Sequence, residues 1–270
     1  SSAASDVYKR QDYKELCDYT HTKGMDFTST PFDYASADYL ERMVDFYKIS
    51  SSDLSNIPFI KHIAQKGKKM IVSVGAAYLS EVDEAIRAIM ETGNNDIAIL
   101  HCVLSYPTSP KDANLKVIQT LKRTFPDVQI GYSDHVAPDE NMQTLAAAYF
   151  LGAEIIEKHF TLDKSLTGND HYHSGDPSDF KKAVANFKWV DQVLGSGNKT
   201  VLDCELVPRK EARRSLVLTR DMKAGEVIEK TDIMPKRPGT GISPDFAQIV
   251  IGRKVLQDLQ EDTILTWNMI

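Results

Sequence analysis

From residue 12 to about 195, short apolar runs alternate with stretches in which apolar positions recur every three or four residues. The runs Met25–Thr30, Phe46–Ser50, Lys69–Val74, Ile97–Val103, Val128–Ser133 and Glu154–Phe160 are short and rich in β-branched residues, which predicts strands. Between them the period lengthens to that of helices. Over Leu79–Met90, Ser80 supplies a cap, Glu81, Asp83 and Glu84 suit a helix N-terminus, and Ala85, Ile86, Ile89 and Met90 form an apolar face. Asp139–Phe150 reads as a helix entered through Pro138 and ended by Gly152. Phe180, Val184, Phe187, Val190 and Leu194 mark another, and Tyr13–Thr22 an earlier one.

Repeated β-α units predict a parallel sheet, either doubly wound or closed as a barrel. Polar residues gather just after the strands, at Ser50–Asp53, Ser105–Thr108, Ser133–His135 and His159–Thr161. A doubly wound sheet loads only the strand ends at its switch point, whereas a barrel uses many of them. The expected fold class is therefore α/β, a (β/α)8 TIM barrel. Eight strands close such a barrel, so the expectation is that the first two are lacking in this chain. A second expectation follows: the chain by itself is weakly active or inactive.

Residues 1–11 are small and polar and read as a non-native scar, which leaves 12–195 as the partial, catalytic barrel. Residues 196–210, with Gly197, Asn198 and Pro208, read as a linker. Residues 211–270 change character, with short strands at Ser215–Leu218 and Val227–Ile228 and turns at Lys223–Glu226 and Pro238-Gly239. They predict a small, mostly β domain.

A net charge of −6 points away from nucleic acid and membrane surfaces. The apolar runs fall well short of the roughly 20 residues of a membrane span. Cys17, Cys102 and Cys204 form neither a CxxC pair nor an even framework, which predicts reduced cysteines in a cytoplasmic protein.

Five groups carry candidate chemistry. His135 and His159 end neighbouring strands, about 4.8 Å apart, where two imidazoles can share a divalent metal and leave positions open; the bland alternative is a packed barrel mouth. Lys48, followed by Ser50–Asp53, offers a charge, hydroxyls and loop amides for a phosphate, or a Schiff-base amine. Asp53 is a general acid–base candidate or simply a cap. Tyr106-Pro107 and the loop Thr167–Asp179, with Asp170, His171 and His173, are candidates for a substrate mouth, and Lys236–Gly239 for an anion or amide contact.

In order, the segments Thr30–Asp33, Lys48–Asp53, Leu100–Cys102 with Tyr106-Pro107, Gly131–His135, Glu157–Thr161 and Gly168–His171 resemble the N-acetylneuraminate (sialic acid) synthase family. That family includes legionaminic and pseudaminic acid synthases. The last stretch resembles its antifreeze-like (SAF) domain, with Lys236–Gly239 at the signature turn. The resemblance implies condensation of phosphoenolpyruvate with an N-acylated amino sugar, N-acetylmannosamine or a related one, with release of phosphate. It implies manganese or magnesium on His135 and His159, and Lys48, Ser51 and Ser133 around phosphoenolpyruvate. Asp53 then lies near the reacting centre, with Tyr106 and Asp170 facing the sugar. It also implies a homodimer whose Arg237 reaches the partner's barrel. Ser50, Ser52, Val74, Ala76 and Leu104 depart from the family's usual residues. Two readings compete: another metal-dependent barrel aldolase or hydrolase, and a truncated, non-catalytic relative.

Overall fold

The structure is a computed structural model that describes residues 10–168 and 170–270. Helices α1 (Arg10–Thr22) and α2 (Tyr34–Leu40) come first. Then follow β1 (Tyr47–Ile49), α3 (Ile57–Ala64), β2 (Met70–Ser73), α4 (Leu79–Met90), β3 (Ile97–Cys102), α5 (Lys116–Thr124), β4 (Gln129–Asp134), α6 (Gln143–Phe150), β5 (Ile156–Lys158) and α7 (Pro177–Leu194). All but the last two residues of the expected scar lie outside the described residues; Arg10 and Gln11 open α1.

The five strands form one parallel sheet in the order β1-β2-β3-β4-β5. Each strand lies beside its predecessor, with no reversal of the kind that makes a switch point. This is the order of a (β/α) barrel, of which the sheet is an open part, as the loaded strand ends predict.

Met25–Thr30, expected as a strand, is irregular. Its contacts explain why. The Asp45 amide donates to the Phe27 carbonyl at 2.9 Å, but the Phe27 amide donates to the Asp45 carboxylate at 2.7 Å. The Thr28 hydroxyl takes the Phe46 carbonyl at 2.7 Å. Side chains thus use up groups that a strand ladder would pair.

The period of two divides the sheet's faces. Tyr47, Ile49, Met70, Val72, Ile97, Ile99, Ile130 and Tyr132 join the apolar helix faces in the main core. Ile71, Ala98 and Leu100 pack on the other face with Phe46 and Ile155. Gly131 makes room there. A Cβ on it would stand 2.4 Å from both Leu100 Cδ2 and the Ile155 carbonyl.

Helix starts follow local chemistry. α4 matches its predicted bounds. α6 begins four residues late because Asp139 accepts from the amides of Asn141 (2.9 Å) and Gln143 (2.9 Å), holding the chain in a turn first. Asp176 caps α7, accepting from the amides of Ser178 (2.8 Å) and Asp179 (3.0 Å).

The described residues divide into two compact units between Gly195 and Ser196. The second unit starts with a helical stretch, Asp203–Glu205 and α8 (Leu206–Ala212), where sequence composition suggested a linker. β6 (Ser215–Leu218) then pairs antiparallel with β7 (Ile233–Lys236), and a short α9 (Ala247–Val250) follows. Val227 contributes only an isolated bridge to Lys254. β7 is unannounced in the sequence because it carries Pro235. The residue opposite, Leu216, turns its amide to the Ile242 carbonyl (2.8 Å) and its carbonyl to the Leu265 amide (2.9 Å), so Pro235 is asked for no donor. A small apolar core, including Leu218, Ile228, Val250 and Leu265, holds this unit together. Among the described residues no helix is long and apolar enough to cross a membrane.

Candidate active site

Strand register builds the site. Cys102, Ser133 and Glu157 are paired in a row across β3, β4 and β5. Alternation puts their side chains on one face, above Leu100 and Gly131. His135 and His159 each lie two residues further on, so the same alternation brings them together one layer higher. Their ring centroids are 5.4 Å apart. Lys48 on β1 and Ser73 on β2 point to the same face from lower in the register, Ser73 paired with Leu100 and Lys48 with Ile71.

These groups line one cavity of about 340 Å3, together with Ser51, Tyr106 and Lys158. Thr30 and Phe32, from the irregular stretch before α2, also line it. Of the residues singled out in the sequence, Lys48, Ser51, Tyr106, Ser133, His135 and His159 are thus brought to one place.

Lys48 is buried. Its ammonium donates to Ser73 Oγ at 2.7 Å and to its neighbour's carbonyl, Ile49 O, at 3.0 Å, and lies 3.6 Å from the Glu157 carboxylate. Burial pushes its pKa below the ordinary lysine value, opposed by the negative charge of Glu157. Ser133 Oγ donates to Glu157 at 2.6 Å. Ser51 Oγ accepts from the Gly75 amide at 2.9 Å. A Cβ on Gly75 would press on that hydroxyl at 2.9 Å and on Cys102 Sγ at 3.1 Å. Burial raises the Cys102 thiol's pKa, opposed by hydrogen bonding from Ser51 and Ser133. It stays a neutral wall rather than a nucleophile.

Beneath the histidines sits a fully buried ion pair, Lys158 to Asp134 at 2.9 Å. Asp134 also accepts from the Tyr132 hydroxyl (2.9 Å) and the Val136 amide (3.0 Å), and Lys158 donates to the Val136 carbonyl. With these partners the pair fixes the ends of β4 and β5, which carry His135 and His159.

The Val103 carbonyl, which can only accept, lies 2.8 Å from His135 Nδ1. That nitrogen therefore carries the proton, and Nε2 is left with a free lone pair. Burial lowers the pKa of this imidazole, so it is neutral at pH 7. Tyr106 lies over it, ring centroids 4.0 Å apart.

Asp170 and His173 come from the loop beyond β5. Asp170 lies 3.8 Å from His159 Nδ1 and 3.9 Å from His173 Nε2. Donor atoms of His159, Asp170 and His173 fall within 4.8 Å of one another. Both nitrogens of fully buried His173 lack hydrogen-bond partners among the described residues. Two imidazoles beside a carboxylate, one of them with both nitrogens unpartnered, fit a divalent cation.

Two candidates stand elsewhere. Asp53 ends the 3-10 turn Ser51–Asp53 outside the cavity lining, and its carboxylate meets Asn56 Nδ2 at 3.4 Å. Arg237 belongs to the second unit, exposed on a turn after β7. Asn169, within the Gly168–His171 motif, lies outside the described residues.

The sequence reading gave no role to Glu157, Ser73, Cys102, Lys158 or Asp134. Period-two spacing was the available signal for Glu157: it precedes His159 by two on the same face.

Comparison with known proteins fits this geometry. The NeuB family model matches residues 5–199 and the SAF domain model residues 213–270. The first match starts inside the segment that composition marks as a scar. The N,N'-diacetyllegionaminic acid synthase of Legionella pneumophila is 39% identical over 265 residues, spanning 96% of this chain and 73% of the relative. The crystal structure of the spore coat polysaccharide biosynthesis protein SpsE of Bacillus subtilis superposes with a TM-score of 0.63 at 35% identity, over 95% of this chain and 76% of that one. The citrate complex of N-acetylneuraminic acid synthetase from Leptospira borgpetersenii gives 0.69 at 34% identity, over 74% of this chain and 69% of that one. Fold, site and relatives together define a barrel-based enzyme of the condensing, transferase class. More narrowly, the chain belongs to the NeuB family, and it is an enzyme of the N-acetylneuraminate synthase type with a C-terminal SAF domain.

Proposed function

We propose that the protein condenses phosphoenolpyruvate with the open-chain aldehyde of an N-acylated amino sugar, N-acetylmannosamine or a related one, to give a nonulosonic acid and inorganic phosphate. The observation that carries this reading is the convergence of Lys48, Ser51 and Ser133 with His135 and His159 on one cavity. An anion-binding floor thus lies directly below a set of metal-ligating nitrogens.

The lower layer takes the phosphoenolpyruvate. Lys48 meets its phosphate or carboxylate as a point charge, with the Ser51 and Ser133 hydroxyls beside it. Its burial strengthens that interaction, because little water screens it. The upper layer takes the sugar, with Tyr106 as an apolar wall and Asp170 as an acceptor for its hydroxyls. His135 and His159 would hold manganese or magnesium, which when bound would supply Lewis-acid polarisation at the aldehyde oxygen. The methylene carbon of phosphoenolpyruvate forms a bond to the aldehyde carbon as the carbonyl π pair moves onto the aldehyde oxygen, which takes a proton from a general acid or solvent to become a hydroxyl. Water adds to the oxocarbenium carbon that results, and phosphate leaves with its bridging oxygen by carbon–oxygen cleavage. Glu157, hydrogen-bonded to Ser133 and open to solvent on one side, is placed to accept the water's proton. Asp53, outside the cavity lining, enters the reading as a general acid or base.

Arg237 enters from a second protomer of a homodimer, against the acyl-amino group of the sugar in its partner's barrel. The free cysteines, of which Cys17 and Cys102 are buried, suit a reducing compartment, and we place the enzyme in the cytoplasm.

The test is phosphate release from phosphoenolpyruvate by the natural gene product that contains this chain, with manganese and a panel of amino sugars. Release that requires a sugar and disappears in His159→Ala is the expected result, and the responding sugar names the acceptor. No release with any acceptor, from folded and metal-loaded protein, would overturn the reading in favour of another metal-dependent barrel or a non-catalytic relative.

A further inference from the structure

His173 is fully buried, yet neither Nδ1 nor Nε2 has a hydrogen-bond partner among the described residues. A neutral imidazole brings one donor and one acceptor. Burying both unpaired loses their hydration with nothing in return, and such a group calls for a partner.

The loop aims this ring deliberately. The Gly175 amide donates to the His159 carbonyl at 2.8 Å, and the Thr161 amide donates to the Gly175 carbonyl at 3.0 Å, tying the loop to the end of β5. Ser174 Oγ donates to the Asp170 carbonyl at 2.7 Å, and the Tyr172 hydroxyl donates to the Tyr106 carbonyl at 3.1 Å. His171 is spent on Thr161, its Nδ1 2.7 Å from the hydroxyl. His173 is left facing His159, ring centroids 5.0 Å apart. The Asp170 oxygens stand 3.8 and 3.9 Å from these two rings, too far for hydrogen bonds. Ligands at about 2.0–2.2 Å from one small divalent ion are separated from each other by roughly 3–4 Å; the two carboxylate–imidazole separations fall in that range, and one donor atom from each of the three residues lies within 4.8 Å of the others.

We propose that His173 is a metal ligand, forming with His159 and Asp170 a two-histidine, one-carboxylate set, with His135, whose ring centroid lies 5.4 Å from that of His159, beside it as a third imidazole. The proposal rests on the metal-dependent reading above and extends it from two nitrogen donors to three. A nitrogen-rich shell favours manganese, iron or cobalt over magnesium, whose preference is for oxygen.

The experiment is performed on the full gene product loaded with one equivalent of Mn2+. Pulsed electron paramagnetic resonance counts the coupled imidazole nitrogens, and titration measures the Mn2+ dissociation constant. Three imidazoles are expected in the wild type and two in His173→Gln, with the dissociation constant raised at least 10-fold and Mg2+ a poor competitor. The wild-type count needs no variant to fold; the metal-free melting curve of His173→Gln checks that its fold persists. Two imidazoles in the wild type, with count and affinity unchanged in His173→Gln but lost in His135→Gln, would overturn the role of His173 and leave the two-histidine reading standing. A folded wild type that binds no Mn2+ would remove both.

Discussion

At the scale of single residues, Lys48 carries a burial cost in the site. It is a buried ammonium whose pKa is lowered chiefly by loss of water. The sign of its linkage follows. Between the lowered folded value and the ordinary lysine value, the unfolded chain holds a proton that the folded chain does not. Stability therefore rises with pH across that window and is poorest below it. Lys48→Met should accordingly stabilise the protein at pH 7 by about 0.5–2 kcal/mol, as relief of a functional-site burden commonly does. The gain should shrink as pH approaches 10, and kcat/KM for phosphoenolpyruvate should fall on the order of 100-fold or more. Denaturant titration at several pH values, with steady-state kinetics, measures both; a variant less stable than wild type at pH 7 would contradict the burden ascribed to this lysine.

At the scale of elements, the site depends on the alignment of β3, β4 and β5. Gly131 sits where β4 passes closest to Leu100 and the backbone of Ile155. The backbone oxygen cannot rotate away as a side chain would. Gly131→Ala should push β4 from its neighbours, costing about 1–3 kcal/mol and separating His135 from His159. A drop in unfolding midpoint together with weaker Mn2+ binding is the expected outcome, and unchanged metal affinity would show that the histidines do not depend on this register. Helix α7 offers a contrast. Asp176→Ala removes the cap that serves two amides, at a cost of about 1 kcal/mol. The cap lies just past the loop that holds His173. Thermal melts should show the loss, with the phosphoenolpyruvate KM untouched.

At the scale of the whole molecule, the proposed dimer makes a prediction that no single protomer can satisfy. If Arg237 serves the partner's site, Arg237→Ala and His159→Ala each disable every site in their own homodimers. Mixed dimers then contain one site with both residues intact. Equilibrating the two inactive variants should restore sugar-dependent phosphate release. Continued inactivity, with subunit exchange verified by mass spectrometry, would place Arg237 in its own protomer's site or outside the chemistry. Each of the two compact units has its own apolar core, the first carrying the barrel groups and the second Arg237.

The alternation of runs and helices, read without coordinates, determined the parallel α/β class, the bounds of α4 and the layer of polar groups at the strand ends. It did so because burial on both faces leaves apolar runs and because chemistry concentrates at strand ends. It also singled out Lys48, Ser51, Tyr106, Ser133, His135 and His159; register and a period of two bring the strand-borne groups together, and the loops after β1 and β3 add Ser51 and Tyr106. What it could not contain are contacts across strands. Glu157 matters through Ser133 and Lys48, Lys158 through Asp134, and Gly131 through Leu100, each distant in sequence and adjacent only once the sheet forms. Met25–Thr30 carried a strand's composition, yet Asp45 and Thr28 took its hydrogen bonds. His173 resembled any solvated loop histidine until folding buried it with both nitrogens unpaired. Burial and pairing are properties of neighbours, and only the tertiary structure supplies those.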